Sequence, residues 1–274
     1  MTRATKRRGS PAPQAQRSAW YVYGIIPSYA EAAGQAGGIG DPPAAISLVR
    51  EGDVAAIVSE VELGRPLGTP EDLVAHQRLL DDVAAEMPVL PMRFGAVLSS
   101  RDAVATELLS EHRDQFAATL AGLDGMAEYI VRGRYDQRAL LASVLASHGE
   151  AASLARQIRG TDEYQTRNQR ITFGEIVTVA IEEQRQADTT QAAAVLERLG
   201  TALVVRDPTH EEDAVHLAVL ARLDRQAELE RAVHELASDW HDRVTLRLLG
   251  PLAPYDFVGE YAPPLPDLVT EQDP

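Results

Sequence analysis

The run Trp20-Tyr21-Val22-Tyr23-Gly24-Ile25-Ile26, closed by Pro27, constrains the fold more than any other segment. It joins aromatic and β-branched residues without a charge among them, which predicts a central strand. A hairpin is expected after it, with arms Ala45 to Arg50 and Asp53 to Val61 and Glu51-Gly52 at the turn. In the second arm Val54, Ala56 and Val58 alternate onto one face. Between strand and hairpin, Ser28 to Pro43 is rich in Ala and Gly and ends in Asp41-Pro42-Pro43, a loop signal. Its Gly34 to Gly40 stretch lacks dinucleotide-binding spacing, so a mobile surface loop is expected instead of a phosphate cradle.

Thr69-Pro70-Glu71-Asp72 supplies an N-cap, a proline at the first helical position and two acids in the first turn. The helix should reach about Met87 on a stripe of Leu73, Leu80, Val83, Ala84 and Met87. His76 falls on this stripe and is expected to be a hydrogen-bonded histidine at the core edge. Val89 to Leu98 predicts a loop entering a strand, and Ser100-Arg101-Asp102 starts a helix to about Leu120. Arg93 sits inside that apolar segment, where a guanidinium needs an acid or several carbonyls. It is expected to tie elements together or to bind a partner's carboxylate.

From Gly125 the pattern restarts. Ala127, Tyr129, Val131 and Tyr135 alternate with Glu128, Arg132 and Arg134, which predicts a strand with one buried face. Helices follow over Gln137 to Arg159, through the stripe Phe173, Ile176, Val177 and Ala180, and over Thr190 to Leu199, ended by Gly200. Leu203 to Val205 and Val215 to Leu220 form strands around a polar turn at Asp207-Pro208. A helix carrying Leu229, Val233, Leu236 and Trp240 precedes a last strand, Val244 to Gly250. The order β-α-β-β-α-β is the ferredoxin-like split βαβ pattern, its first crossover swollen by extra helices. The expected fold class is therefore α+β in two domains: an N-terminal α/β sandwich-like domain over 19–121 and a C-terminal ferredoxin-like domain with a helical insertion over 122–262.

Residues 1–18 and 263–274 are expected to be disordered tails, the first of them basic. Five basic residues and no acid precede Ala19, which leaves the remainder at −20 against −15 for the whole chain. Such a surface repels phosphate backbones, so no nucleic-acid partner is expected. The absence of cysteine excludes disulfides and zinc-thiolate sites and fits a cytoplasmic location. No apolar run approaches the roughly 20 residues of a membrane helix, so no membrane partner is expected. His234 and His241 lie seven apart, not four, and His210 sits among acids, so neither group predicts a metal site. There is no Gly-x-Ser-x-Gly elbow, and no catalytic residue, cofactor or metal is assigned.

Three segments together resemble the GvpF/GvpL family of gas-vesicle accessory proteins. They are the opening strand with Tyr21 and Tyr23, the run Leu90-Pro91-Met92-Arg93-Phe94-Gly95 placed a dozen residues after His76, and the closing Gly250-Pro251-Leu252-Ala253-Pro254-Tyr255-Asp256-Phe257-Val258. In the closing motif Leu252 and Ala253 stand where the family usually has tryptophan and a second proline. The resemblance implies an assembly factor in the cytoplasm and on the gas vesicle, with no reaction and no cofactor. It also implies binding to the hydrophobic major shell protein and to other gas-vesicle accessory proteins. The motif residues Tyr21, Tyr23, His76, Pro91, Arg93, Phe94, Gly95, Gly250, Pro251, Pro254, Tyr255 and Phe257 then become the partner-binding candidates. The competing expectation from residues alone is a cytoplasmic enzyme or small-molecule sensor on the same fold.

Overall fold

The computed structural model describes residues 18–30, 37–62, 67–199 and 202–258. The expected N- and C-terminal tails, the Gly200 helix stop and the start of the Gly34 to Gly40 loop lie outside them. Strand β1 (Ser18–Pro27) is central, as its uninterrupted apolar run demands, in a sheet of order β2-β3-β1-β4. It pairs antiparallel with β3 (Val54–Glu62), which turns back through Gly52 to β2 (Ile46–Glu51). On its other side lie two short strands, β4 (Leu90–Pro91) and β5 (Val97–Leu98), so the expected single strand after Val89 is two brief pairings around a loop.

Both faces of this sheet are covered, a correction to the one-faced reading of β3. Val54, Ala56 and Val58 pack with Val104, Leu109 and Phe116, whereas Ala55 and Ile57 pack with Leu79, Leu80 and Val83 of α1 (Pro70–Ala84). Helix α1 begins at the expected N-cap Thr69, which closes a capping box with Asp72. Its buried stripe is led by Asp72 and His76, while Leu73 is exposed. Asp72 turns inward because its carboxylate caps the helix and accepts the Gly40 N–H at 3.0 Å. The opposite layer runs through α2 (Arg101–Ala103), a π-helical stretch Val104–Ser110 and α3 (Glu111–Gly122).

The second sheet has the order β7-β8-β6-β9, antiparallel throughout. Its strands are β6 (Met126–Tyr135), β7 (Ala202–Val205), β8 (Asp213–Arg222) and β9 (Val244–Leu252). One face carries Ala127, Tyr129, Val131, Leu217 and Val219 against Ala192, Leu196, Leu229, Val233 and Trp240. Those last residues come from α6 (Arg167–Glu197) and α7 (Gln226–Asp239). The stretches anticipated as separate helices at Phe173 and Thr190 are one helix of 31 residues, about 46 Å long. The helix carries Gly174 without breaking, no Pro or Gly follows it before Glu197, and the Phe173 and Leu196 stripes serve different partners along it.

A buried ionic knot fixes α6 to this sheet. Asp188 receives both Arg243 nitrogens at 2.5 and 2.7 Å and the Tyr135 hydroxyl at 2.8 Å. Asp213, also buried, sits between Arg132 and Arg134. Burial acts to raise its carboxyl, but bonds from the Thr209 hydroxyl and amide, Arg132 and the His210 amide outweigh that and hold it at about 2. Asp188 is buried while Arg243 is 31% exposed, so Asp188→Ala, which removes charged bonds without stranding a fully buried charge, should cost about 2–3 kcal/mol of stability in denaturant unfolding. Tyr135→Phe, which removes only one donor, should cost about 1 kcal/mol.

Candidate functional site

Residues two apart on a strand share a face, so β1 delivers Tyr21 and Tyr23 together beneath α1. There His76 meets them, with its Nδ1 2.9 Å from the Tyr21 hydroxyl and its Nε2 2.9 Å from the Tyr255 hydroxyl. The Gly95 N–H donates to Tyr21 at 3.2 Å. Phe94 packs edge-on against Tyr21 and His76, at 5.7 and 5.5 Å between ring centres. The His76 ring stacks on Tyr23, whose hydroxyl accepts the Ile39 N–H at 2.8 Å and meets Ser59 Oγ at 2.9 Å. Six of the motif residues, taken from three distant segments, thus form one cluster, in which Tyr21, Tyr23 and His76 are buried, Phe94 and Tyr255 partly buried, and Gly95 exposed.

The other motif residues support it or stand apart. Pro91 pairs with Gly24, where a Cβ would lie 2.8 Å from the Leu90 carbonyl oxygen, so only glycine permits this approach. Gly250 (φ +138°) leaves no room for a side chain against the Tyr129 ring, and from there Pro251 leads into a strap over residues 251–258. Ala253, Tyr255 and Val258 of the strap enter the cores of the first sheet, and the Ala253 N–H donates to Asp81 at 2.9 Å. Pro254 is buried, whereas Phe257 is only half-buried. Arg93 corrects its expectation: it is exposed and makes no side-chain hydrogen bond or ion pair among the described residues. The loop at Phe94-Gly95 turns it outward while its neighbours Met92 and Ala96 turn in.

Sequence reasoning missed the acids that the strap covers. Glu128, expected on a polar face, is buried, because the Asp256 N–H donates to its Oε2 at 3.0 Å and the strap closes over it. Asp256 holds Arg206 in a two-pronged pair at 2.6 and 2.9 Å. Burial raises the Glu128 carboxyl to about 7, further favoured by Asp256 and Asp81 and opposed by the Asp256 amide and Arg206. Burial likewise lowers His76 to about 4, and it raises the Tyr21, Tyr23 and Tyr255 phenols. The cluster is therefore an uncharged pin near neutral pH.

A second feature is the arm made by α4 (Gln137–Ser147), α5 (Gly149–Ile158) and the first half of α6. Its core is small: Val144, Ala151 and Ala180, with Leu145, Phe173, Ile176, Val177 and Ile181 partly covered. Leu141, Tyr164, Ile171 and Val179 are exposed. Between α4, α6 and the turn at His210 runs a groove of ≈ 540 Å³, lined in part by Tyr135, Leu140, Leu141, Val177 and Ile181. By contrast, the apolar run Val89 to Leu98 offers no such surface, since Val89, Leu90, Met92, Ala96 and Leu98 are buried in the cores. Among the described residues no group of three His, Asp or Glu is placed to hold a metal ion, and no helix is long and apolar enough to cross a membrane.

The pin and Glu128 beneath the strap generate opposed pH dependences. His76 is neutral in the fold but protonates below about 6.5 when unfolded, so its contribution is full above 6.5 and is lost as pH falls toward 4. Glu128 keeps its proton up to about 7 in the fold but loses it near 4.5 when unfolded, so its contribution is lost as pH rises across that interval. Urea midpoints measured from pH 4 to 8 should show Glu128→Gln gaining on the parent as pH rises. They should show His76→Phe gaining on the parent as pH falls from 6.5 to 4, by an amount of order 3 kcal/mol.

The profile described as gas vesicle synthesis protein GvpL/GvpF matches residues 19–259. Gas vesicle protein F of a Streptomyces species is 35% identical over 87% of this chain and 98% of its own length. Gas vesicle protein L2 of Halobacterium salinarum is 26% identical over 73% of this chain and 72% of its own. The crystal structure of GvpF from an Anabaena species superposes with a TM-score of 0.72 at 21% identity, covering 87% of this chain and 97% of that one, and so shares its fold. With a family profile spanning both sheets and the strap, and a relative matched nearly end to end, the chain belongs to the gas vesicle synthesis protein GvpL/GvpF family.

Proposed function

We propose that this chain is a gas-vesicle assembly factor, without catalytic activity, that covers the apolar face of the major shell protein through the α4–α6 arm. The observation that carries this reading is the arm itself, a thinly cored helical layer exposing Leu141, Tyr164, Ile171 and Val179 beside an apolar-lined groove. A shell subunit that excludes water must carry a broad apolar face, which aggregates in free solution unless something covers it. The arm offers apolar cover, while a remainder at −20 disperses the complex by charge repulsion. In this reading residues 19–121 and 122–262 are two domains, the arm is the enlarged crossover of the ferredoxin-like second one, and the protein works in the cytoplasm and at the vesicle wall. Other accessory proteins of the vesicle are further partners.

Because the contact is apolar, it should tolerate salt. Co-expression with the shell protein should raise the soluble shell fraction, and the complex should survive a pull-down at high ionic strength. Leu141→Asp combined with Val179→Asp should weaken the complex about tenfold, equivalent to about 1.4 kcal/mol, with little change in melting temperature since both side chains are exposed. No gain in soluble shell protein, or a complex indifferent to both substitutions, rejects the arm as the contact.

A further inference from the structure

The corner where α5 meets α6, at the tip of the arm, has a charge opposite to that of the whole chain. Residues 156–170 carry Arg156, Arg159, Arg167 and Arg170 against Asp162 and Glu163, a net +2 on a chain of −15. All four arginines are exposed and make no ion pair among the described residues, although Arg170 donates from Nε to the Thr166 hydroxyl at 3.1 Å. Asp162 serves the turn itself, accepting the Tyr164 N–H at 2.9 Å. In the second sheet and its helices, by contrast, Arg185, Arg206 and Arg243 each hold a carboxylate.

The helices gain nothing from this arrangement. Arg156 and Arg159 stand three apart, as do Arg167 and Arg170, and like charges at that spacing repel. Arg167 and Arg170 also open α6, where positive charge opposes the helix dipole and no acid offsets it. Two apolar side chains are exposed in the same corner: Tyr164, at 92%, and Ile171, one turn into α6. The turn beneath them is held by the Thr166 amide and hydroxyl, both donating to the Asp162 carbonyl. Arginine and tyrosine on a projecting, well-bonded turn have the composition of a binding hot spot.

The corner also stands clear of the second sheet. Arg167 is 21 residues from Asp188 along one helix, about 32 Å. That is about four Debye lengths at physiological salt, so the acids packed on the sheet do not cancel its field. A continuous polyanion fits this corner poorly. Phosphates along a nucleic acid or a membrane would meet Asp162 and Glu163 between the arginines, and the net charge of the chain repels them. A protein segment with a few spaced carboxylates fits, because each guanidinium fork can take one carboxylate in paired hydrogen bonds.

We infer that the tip of the arm binds an acidic segment of a partner protein, with Arg156, Arg159, Arg167 and Arg170 taking its carboxylates and Tyr164 and Ile171 its apolar side chains. This contact is separate from the α4–α6 groove and of the opposite kind: it weakens with salt, whereas an apolar groove contact does not.

The probe is a fluorescein-labelled peptide of glutamate pairs alternating with leucine, titrated with the full chain and followed by fluorescence anisotropy. It should bind at low salt and lose about tenfold in affinity at physiological salt. Arg167→Glu with Arg170→Glu should weaken binding at least tenfold without lowering the melting temperature, since acids suit the first turn of a helix. Tyr164→Ala should weaken it roughly fivefold at unchanged charge. Arg231→Glu with Arg247→Glu, equally exposed but away from the arm, should leave it unchanged, as should Leu141→Asp with Val179→Asp, which tests the groove. No binding, an equal loss in the Arg231 and Arg247 variant, or tighter binding to phosphatidylglycerol vesicles or to a single-stranded oligonucleotide overturns the inference.

Discussion

Everything in the first half of this protein leans on one imidazole held between two phenols. His76 joins strand β1 through Tyr21 to the closing strap through Tyr255, and the ring also fills space against Tyr23 and Phe94. A neutral imidazole can donate from one nitrogen and accept at the other, so no charge needs to be buried to link the three elements. Tryptophan or phenylalanine could fill the same volume but would leave at least one buried phenol without its partner, at a cost of about 1–3 kcal/mol. This explains why the motifs that define the chain's resemblance to its family converge here: they specify an internal joint.

The second half solves a different problem. A strongly acidic chain must place a helix of 31 residues so that half of it lies on a sheet and half does not. Apolar contact through Ala192 and Leu196 alone would let the helix rotate or slide, whereas the Asp188 knot with Arg243 and Tyr135 has a single geometry. Fixing the helix at that point leaves its first thirteen residues, before Ala180, without one fully buried side chain. The arm can therefore expose apolar surface without loosening the sheet beneath it.

Much of this was legible in the sequence. Aromatic and β-branched runs located the strands, the Thr69-Pro70 signal fixed the start of α1, and the β-α-β-β-α-β order of the second half is the order found. The separate parts of the pin were also visible, because His76 stood out on an apolar stripe and Tyr255 in the closing motif after Pro254. Their meeting was not, since no local periodicity couples residues 179 positions apart. Arg93 misled because its apolar neighbours in the sequence were expected to enclose it, whereas the loop turns them inward and Arg93 outward. Glu128 misled for the converse reason: the alternation was right, but the residue became buried when the strap, a distant piece of chain, closed over it. Local patterns report on the element they belong to and are silent about what later crosses it.

The strap also sets an order of events during synthesis. The first sheet receives Ala253, Tyr255 and Val258 into its cores, so it cannot be completed by the residues that form its strands. At a translation rate of about 5–20 residues per second, the roughly 180 residues between His76 and Tyr255 take from ten to forty seconds to appear. Throughout that interval the His76 Nε2 lacks the Tyr255 hydroxyl that it meets in the complete fold. Completion of the N-terminal half is thus reserved for a chain whose second sheet has already been translated, which makes the ribosome's progress a checkpoint on the joint itself.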